Sequence, residues 1–415
     1  PGSDVALLNS IMHVIIEDDL FNDEYIKKQT SGFDDLRRHL KNYPPEIMEE
    51  QTGIDADLIR EVAHLYAKTS KGIIFWGMGV SQHVHGTDNA RCLISLALMT
   101  GNVGRRGSGL HPLRGQNNVQ GASDAGLIPM MYPDYQLVEK DDKQNFFEKF
   151  WNTPLDDKKG LTVVEIMDAI HENTIKGMYI LGENPAMSDP DLNHAREALQ
   201  ILEHLVVQDI FLTETATYAD VIFPASAWPE KNGTATNTNR QVQMGRKALD
   251  APGAAKEDWW ITNELGKRMG LDWKYEHPRE IYEEMSKTMP SLNNITWDRL
   301  ENENSVTYPS RSPTTPGDEI VFGDKFPNES GRGKFVPASV TSPNEVPDEE
   351  FEMILTTGRQ LEHWHTGAMT RKASNLDAIE PEATVSISPN EILKKNMRPG
   401  AVSYTHLRAH ETTHD

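Results

Sequence analysis

Arg114-Gly115-Gln116 is the most chemically suggestive short run in the chain, set within Gly109-Leu110-His111-Pro112-Leu113-Arg114-Gly115-Gln116-Asn117-Asn118-Val119-Gln120-Gly121-Ala122-Ser123-Asp124. A guanidinium can hold both oxygens of a small carboxylate in a bidentate fork, and its larger benefit is orientation. Gln116 adds a neutral donor and acceptor. Taken by itself, however, Arg114 reads first as a solvent-exposed loop arginine paired with an aspartate. His363-Trp364-His365 places two histidines on one face if the segment is a strand. With no third ligand nearby, that pair reads as structural or cofactor-contacting rather than metal-binding. Gly77-x-Gly79-x-x-Gln82 sits like a dinucleotide fingerprint, but Gln82 replaces the third glycine and no acidic residue closes the following strand, so a NAD site is rejected. His410-Glu411-Thr412-Thr413-His414 is a literal H-E-x-x-H, with His406 one turn earlier. Only Asp415 follows, so nothing can enclose a zinc ion there, and 403–415 reads as a non-native tail.

These residues need elements to hold them. The chain has 415 residues and 37% hydrophobic content, enough for two or three cores. Residues 1–70 show helical spacing at Val5, Leu8, Ile11, Met12, Ile15 and Ile16, repeated over 54–68. An apolar run at 72–76 ends on Gly77-Met78-Gly79, a helix is expected over 87–100, and 101–135 reads as an extended loop region. Strands are expected at 178–181, 205–209 and 219–224 with a helix over 191–204, which together argue for a parallel sheet covered on both faces. The Pro-, Ser- and acid-rich stretch 303–350 reads as a linker with one hairpin near 331–336, and 351–356 as the first strand of a new unit.

Composition excludes several function classes. A net charge of −22, with 41 basic against 63 acidic side chains, repels a phosphate backbone and makes nucleic acid an unfit partner. No apolar stretch is long enough for a membrane span. One cysteine, Cys92, excludes a disulfide framework, a cysteine-rich zinc module or an iron–sulfur cluster held by this chain. The chain starts at Pro1 rather than Met, and is read as a piece of something longer.

The stretch 109–124 resembles the active-site segment of molybdenum- or tungsten-dependent formate dehydrogenases, in the molybdopterin oxidoreductase superfamily. Met78-Gly79-Val80-Ser81-Gln82, Gly182-Glu183-Asn184-Pro185, Val207-Gln208-Asp209, Ala219-Asp220-Val221-Ile222-Phe223-Pro224 and the run 357–367 have counterparts in the same order. The run 124–129 looks most like the cytosolic, NAD-linked multi-subunit type. The resemblance implies the molybdopterin oxidoreductase fold: two α/β domains with parallel sheets, at 1–116 and 117–340, then the truncated start of a C-terminal β-barrel-like domain at 341–402. It implies that formate is oxidised to CO2 at a bis(molybdopterin guanine dinucleotide) centre holding Mo or W. Arg114 then anchors the substrate and Gln116 sits beside it.

On the same resemblance, Met78, Gln82 and Gly115 lie near the pterins. Asn184, Ser188, Gln208, Asp209, Lys231 and Asp258 match guanine-dinucleotide contacts, with helix capping as the plainer reading of Asp209 and Asp258. Thr357, Gly358, Arg359, His363, Trp364, His365 and Thr366 match the segment covering the pterin. Formate and electron-transfer subunits carrying iron–sulfur clusters and flavin are the implied partners, in the cytoplasm. The family's four-cysteine [4Fe-4S] site and its metal-ligating cysteine or selenocysteine, followed by histidine, have no counterpart here. Cys92 lies in an apolar helix and is no substitute, so this chain alone is expected to be inactive on formate. Two alternatives stand beside this reading: a periplasmic-type nitrate reductase, and a non-catalytic scaffold like the large iron–sulfur subunit of respiratory complex I.

Overall fold

The computed structural model describes residues 2–343, 346–398 and 400. Helix α1 (Asp4–Glu17) buries Val5, Ile11, Met12 and Ile15 at helical spacing and packs against α2 (Ala56–Lys68) and α3 (Gly86–Met99). Strand β1 (Ile73–Trp76) follows α2 and pairs in parallel with β2 (Gly109–Pro112), Ile73 opposite Gly109 and Trp76 opposite Pro112. The expected loop at 101–135 therefore contains a strand, and also a short helix α4 (Val119–Asp124). Gly-Leu-His-Pro has no β-branched residue and ends in proline, so no strand signal stands out there.

The expected linker is also corrected. Phe335 and Ala338 are 2% exposed and belong to the first core, where Phe335 meets Phe33 at 5.4 Å between ring centroids and the Ala338 carbonyl accepts from Asn9 at 2.8 Å. Gly333–Lys334 pairs in parallel with Thr30–Ser31, in place of the hairpin read at 331–336. A turn-rich composition signals irregular backbone, and irregular backbone can still carry a buried aromatic.

The second core is built on strands β3 (Gly177–Leu181), β4 (His204–Asp209) and β5 (Val221–Pro224), parallel and adjacent in that order. Helix α5 (Val163–His171) begins with a capping box between Thr162 and Glu165, and α6 (Leu192–Ile201) is capped by the Asp191 carboxylate. These helices cover one face of the sheet, where Ile180, Leu205, Val207 and Leu199 are buried. Tyr179 and Leu181, on the opposite face, are 38% and 45% exposed, so within the described residues the sheet is not covered on both faces. A continuous apolar run cannot distinguish a strand buried on two sides from one buried on one side.

Strands β6 (Gly233–Thr236), β7 (Gln241–Gly245) and β8 (Ser305–Thr307) form an antiparallel sheet over Tyr282, Trp297 and Leu300, and α7 (Asp258–Arg268) follows β7. From 346 onward the described residues hold a 3-10 turn, Thr370–Lys372, two short α-helices, Ser374–Ile379 and Pro389–Lys394, and no strand. The strand expected at 351–356 is irregular and exposed, since an isolated strand with no neighbour to pair with is unstable. No closed barrel forms among the described residues. The 403–415 tail with its H-E-x-x-H lies outside them. No helix of the described residues is long and apolar enough to cross a membrane.

Candidate functional site

Residues 113–117 form an exposed arc between two anchored ends. On one side the Leu113 amide donates to the Trp76 carbonyl at 2.7 Å, extending the β1–β2 pairing. On the other, the Asn118 side-chain oxygen accepts from the Thr236 amide of β6 at 2.9 Å, and α4 begins. Arg114 stands on this arc, next to its β2 end. Its neighbour Arg106 pairs with Glu319, whereas Arg114 forms no ion pair among the described residues. Among the described residues no aspartate takes the place that the loop-arginine reading gives it. A Cβ placed on Gly115 would lie 2.9 Å from the Trp364 ring, so that indole packs directly on the arc.

The segment holding Trp364 runs from the arc to the C-terminal ends of the second parallel sheet. It is not a strand, and the two histidines part company. His363 is engaged within the segment, Nδ1 lying 3.2 Å from the Thr370 hydroxyl and Nε2 2.6 Å from the Glu380 carbonyl. His365 has φ +50° and faces Glu183 just past β3. Thr357, Gly358 and Arg359 are exposed, while Trp364 is half-buried.

At the sheet ends, Gln208 is fully buried in β4. Its amide nitrogen donates to Asp258 at 2.7 Å and its oxygen accepts from the Tyr179 hydroxyl. Asp258 also pairs with Lys231, whose ammonium donates to the Ser226 carbonyl at 3.0 Å. Gln208, Asp258 and Lys231, predicted separately, are thus one connected chain. Asp258 is the first residue of α7, where a carboxylate also favours the helix N-terminus. Asn184, 7% exposed, donates to Glu214 at 2.9 Å and accepts from the Thr215 hydroxyl at 2.7 Å, fixing the turn after β3. Ser188 is exposed and bonds back to the Asn184 carbonyl. Asp209 accepts from the Phe211 amide at 3.1 Å, and burial pushes its carboxyl up.

Two features show room and chemistry for a large polar ligand. Gly77, Gly79 and Gly182 each face open space where a Cβ would stand, Gly182 in the left-handed region at φ +68°. Met78 and Gln82 lie on the first of these turns. Asp189, which directly follows the one-turn helix Pro185–Ser188, has a buried Oδ2 without a partner. Burial, with Glu183 adding, pushes its carboxyl up to about 6. An orphaned buried acceptor calls for a donor from outside the chain. Sequence reasoning missed Asp189 and Glu183, although both flank the Asn184 turn. It also missed His85, 6% exposed with neither ring nitrogen partnered, and Tyr135 and Tyr308 behind the arc. Among the described residues, no group of three or more His, Cys, Asp or Glu could hold a metal ion.

The family model described as molybdopterin oxidoreductase matches residues 1–268. The chain is 44% identical over 393 residues to the "F420-dependent formate dehydrogenase subunit alpha" of Methanocaldococcus jannaschii, covering 94% of this chain and 58% of that protein. It is 34% identical to "Formate dehydrogenase H" of Escherichia coli, covering 98% of this chain and 58% of that one. The chain therefore spans just under three fifths of the length of these curated relatives. Among solved structures, acetylene hydratase from Pelobacter acetylenicus superposes with a TM-score of 0.69 at 18% identity, over 96% of this chain and 59% of that one, a likeness of fold alone.

Proposed function

We propose, because this chain belongs to the molybdopterin oxidoreductase family, that it is the substrate-anchoring and nucleotide-holding portion of a formate dehydrogenase catalytic subunit, an oxidoreductase. The single observation that carries the reading is Arg114. It is an exposed guanidinium free of any ion pair among the described residues, on an arc fastened at both ends, with an indole packed beneath its neighbour. A formate ion offers two oxygens, and the fork of Arg114 can take both while Gln116 donates or accepts beside it. A solvent-facing arginine that serves only solubility needs neither anchored flank nor aromatic floor.

The residues present fit a bis(molybdopterin guanine dinucleotide) centre with Mo or W. That group, when bound, supplies the acceptor for the two electrons leaving formate. Met78 and Gln82 on the open glycine turn, with Gly115 and the segment of Thr357, Gly358, Arg359, His363, Trp364, His365 and Thr366, would hold the pterin end. Asn184, Ser188, Gln208, Asp209, Lys231 and Asp258 would hold the nucleotide end, where open parallel sheets bind ligands. The carboxylates there can accept from the N–H edge of a guanine, and the orphaned Asp189 oxygen is available for the same donors. In the chain's own framework, His363, Asn184, Gln208, Asp209 and Asp258 already have partners, so they shape the cradle, while the unpartnered Asp189 oxygen is left for direct contact.

Cys92 is buried and single, so any iron–sulfur cluster would be held by other residues than these. The same reading divides the chain at 116, 340 and 402, with 326–338 returning to the first core. Electron-transfer subunits and a cytoplasmic setting belong to the proposal. For the final acceptor, the names of three relatives at 38–44% identity favour F420 over the NAD-linked type. Arg114→Lys in the holoenzyme tests the central claim, because it keeps the charge and loses the fork: KM for formate should rise and kcat fall. Unchanged kinetics would remove Arg114 from the substrate site.

A further inference from the structure

We propose that Asp124 is a positioning residue for the Arg114 arc, held behind it by Gln120, Tyr308 and Tyr135. The proposal rests on the reading of Arg114 as the carboxylate-holding side chain. Asp124 is the last residue of α4 and is 4% exposed. A buried carboxylate is tolerated only where donors surround it. Here Gln120 donates to Oδ1 at 2.6 Å and the Tyr308 hydroxyl to Oδ2 at 2.8 Å. The same Gln120 amide lies 3.1 Å from the Tyr135 hydroxyl and 3.3 Å from that of Tyr308. Burial raises the Asp124 carboxyl, and hydrogen bonds from Tyr308, Gln120 and Tyr135 oppose that rise.

Each partner is fixed from a different part of the chain. The Tyr308 amide donates to the Arg240 carbonyl at 3.0 Å, and its ring lies 6.0 Å from the Arg240 guanidinium, beside the core under β7 and β8. Tyr135 and its neighbour Asp134 both adopt left-handed backbone, φ +58° and +64°, a conformation costly for residues other than glycine. Asp134 is secured there by accepting from the Ser291 amide at 3.0 Å. The strained turn delivers the Tyr135 hydroxyl to the cluster, where the Arg114 charge reaches it and pulls its ionisation down against burial and Asp124.

The consequence is mechanical. Only residues 113–118 separate the end of β2 from α4, so a rotation of α4 is a displacement of Arg114. One end of α4 is tied to β6 by Asn118 and the other to the tyrosine pair by Asp124. Without the second tie, α4 pivots about the first. A fork that must meet two oxygens at once tolerates little pivot, since a misplacement of about 1 Å can cost on the order of 100-fold in rate.

Tyr308→Phe removes one donor and keeps the ring, while Asp124→Asn keeps the shape and removes the charge. Both are measured in the holoenzyme for KM and kcat with formate, metal per polypeptide, melting temperature, and hydrogen exchange of peptides spanning 113–119. The expected result is a rise in KM of roughly tenfold or more, with faster exchange over 113–119 and wild-type metal content. Unchanged KM with unchanged exchange overturns the proposal. So does a loss of metal and melting temperature in which the surviving enzyme keeps the wild-type KM, because that describes a merely structural residue. If the wild-type holoenzyme shows no formate turnover, it is the formate reading that has failed. The exchange arm then decides the tie alone, and wild-type exchange in both variants rejects it.

Discussion

Replacing Asp258 by alanine should lower the unfolding free energy of the second core by about 2–4 kcal/mol. Gln208 has no solvent exposure, and its amide nitrogen reaches Asp258 at 2.7 Å. Remove that acceptor and the amide keeps Tyr179 on its oxygen but leaves its N–H groups dry and unpaired, a penalty of roughly 1–3 kcal/mol. Lys231 loses its counter-charge in the same step. With the two side chains 25% and 29% exposed, that pair contributes roughly 1 kcal/mol. Asp258→Asn is the discriminating control, because it retains an oxygen for Gln208 and should cost only about 1 kcal/mol. Urea unfolding followed by tryptophan fluorescence suits the question, since Trp259 and Trp260 stand beside Asp258 on α7. Equal losses for the alanine and asparagine variants would refute the reasoning, because they would show the buried amide to be indifferent to its acceptor. A loss below about 1 kcal/mol for alanine would do the same.

Three further outcomes are expected. Asp189 has a folded-state value raised from 3.8 to about 6, so between those values the folded chain binds more protons than the unfolded one. Stability therefore falls as pH rises from about 4 to about 7, by at most about 3 kcal/mol before solvent screening, and Asp189→Asn should flatten the decline in urea midpoints. The same slope in both proteins would contradict this. Cys92 is 1% exposed and burial pushes its thiol up to about 12, so Ellman's reagent at pH 8 should react only after denaturant is added. Labelling of the native protein at a free-thiol rate would show the helix α3 to be open. Gly86→Ala puts a Cβ 1.8 Å from the Ser81 carbonyl oxygen, which forces the Met78–Gln82 turn to move. The variant should lose roughly 1–3 kcal/mol and bind less pterin, measured by its fluorescence after oxidative release, and wild-type values for both would mean that the turn is not rigid.

The strands β3, β4 and β5 were legible because each is a short apolar run bounded by turn residues, and α6 because Asp191 stands where a cap belongs. Strand β2 and the returning Phe335 were not, since neither carries a periodic pattern and each is defined by a partner far away in sequence. The site divides along the same line. Placing His363 and His365 on one face assumed the two-residue alternation of a strand; with His365 at φ +50° the alternation breaks, and His363 alone bonds the Glu380 carbonyl while His365 lies toward Glu183. Arg114 was legible as a residue type, but its freedom from an ion pair depends on which carboxylates come near, a property of the fold. Its support is still less local, for Asp124 and Tyr308 are 184 positions apart and nothing around either residue announces the other. Spacing arguments therefore reach as far as regular backbone does. The chemistry here lies on arcs and turns beyond the strand ends, where loops carry function on a rigid scaffold. The groups that hold the loops still are recruited from the far side of the chain, which is why the candidate ligand-holding residues were reached by family likeness and their supports by geometry.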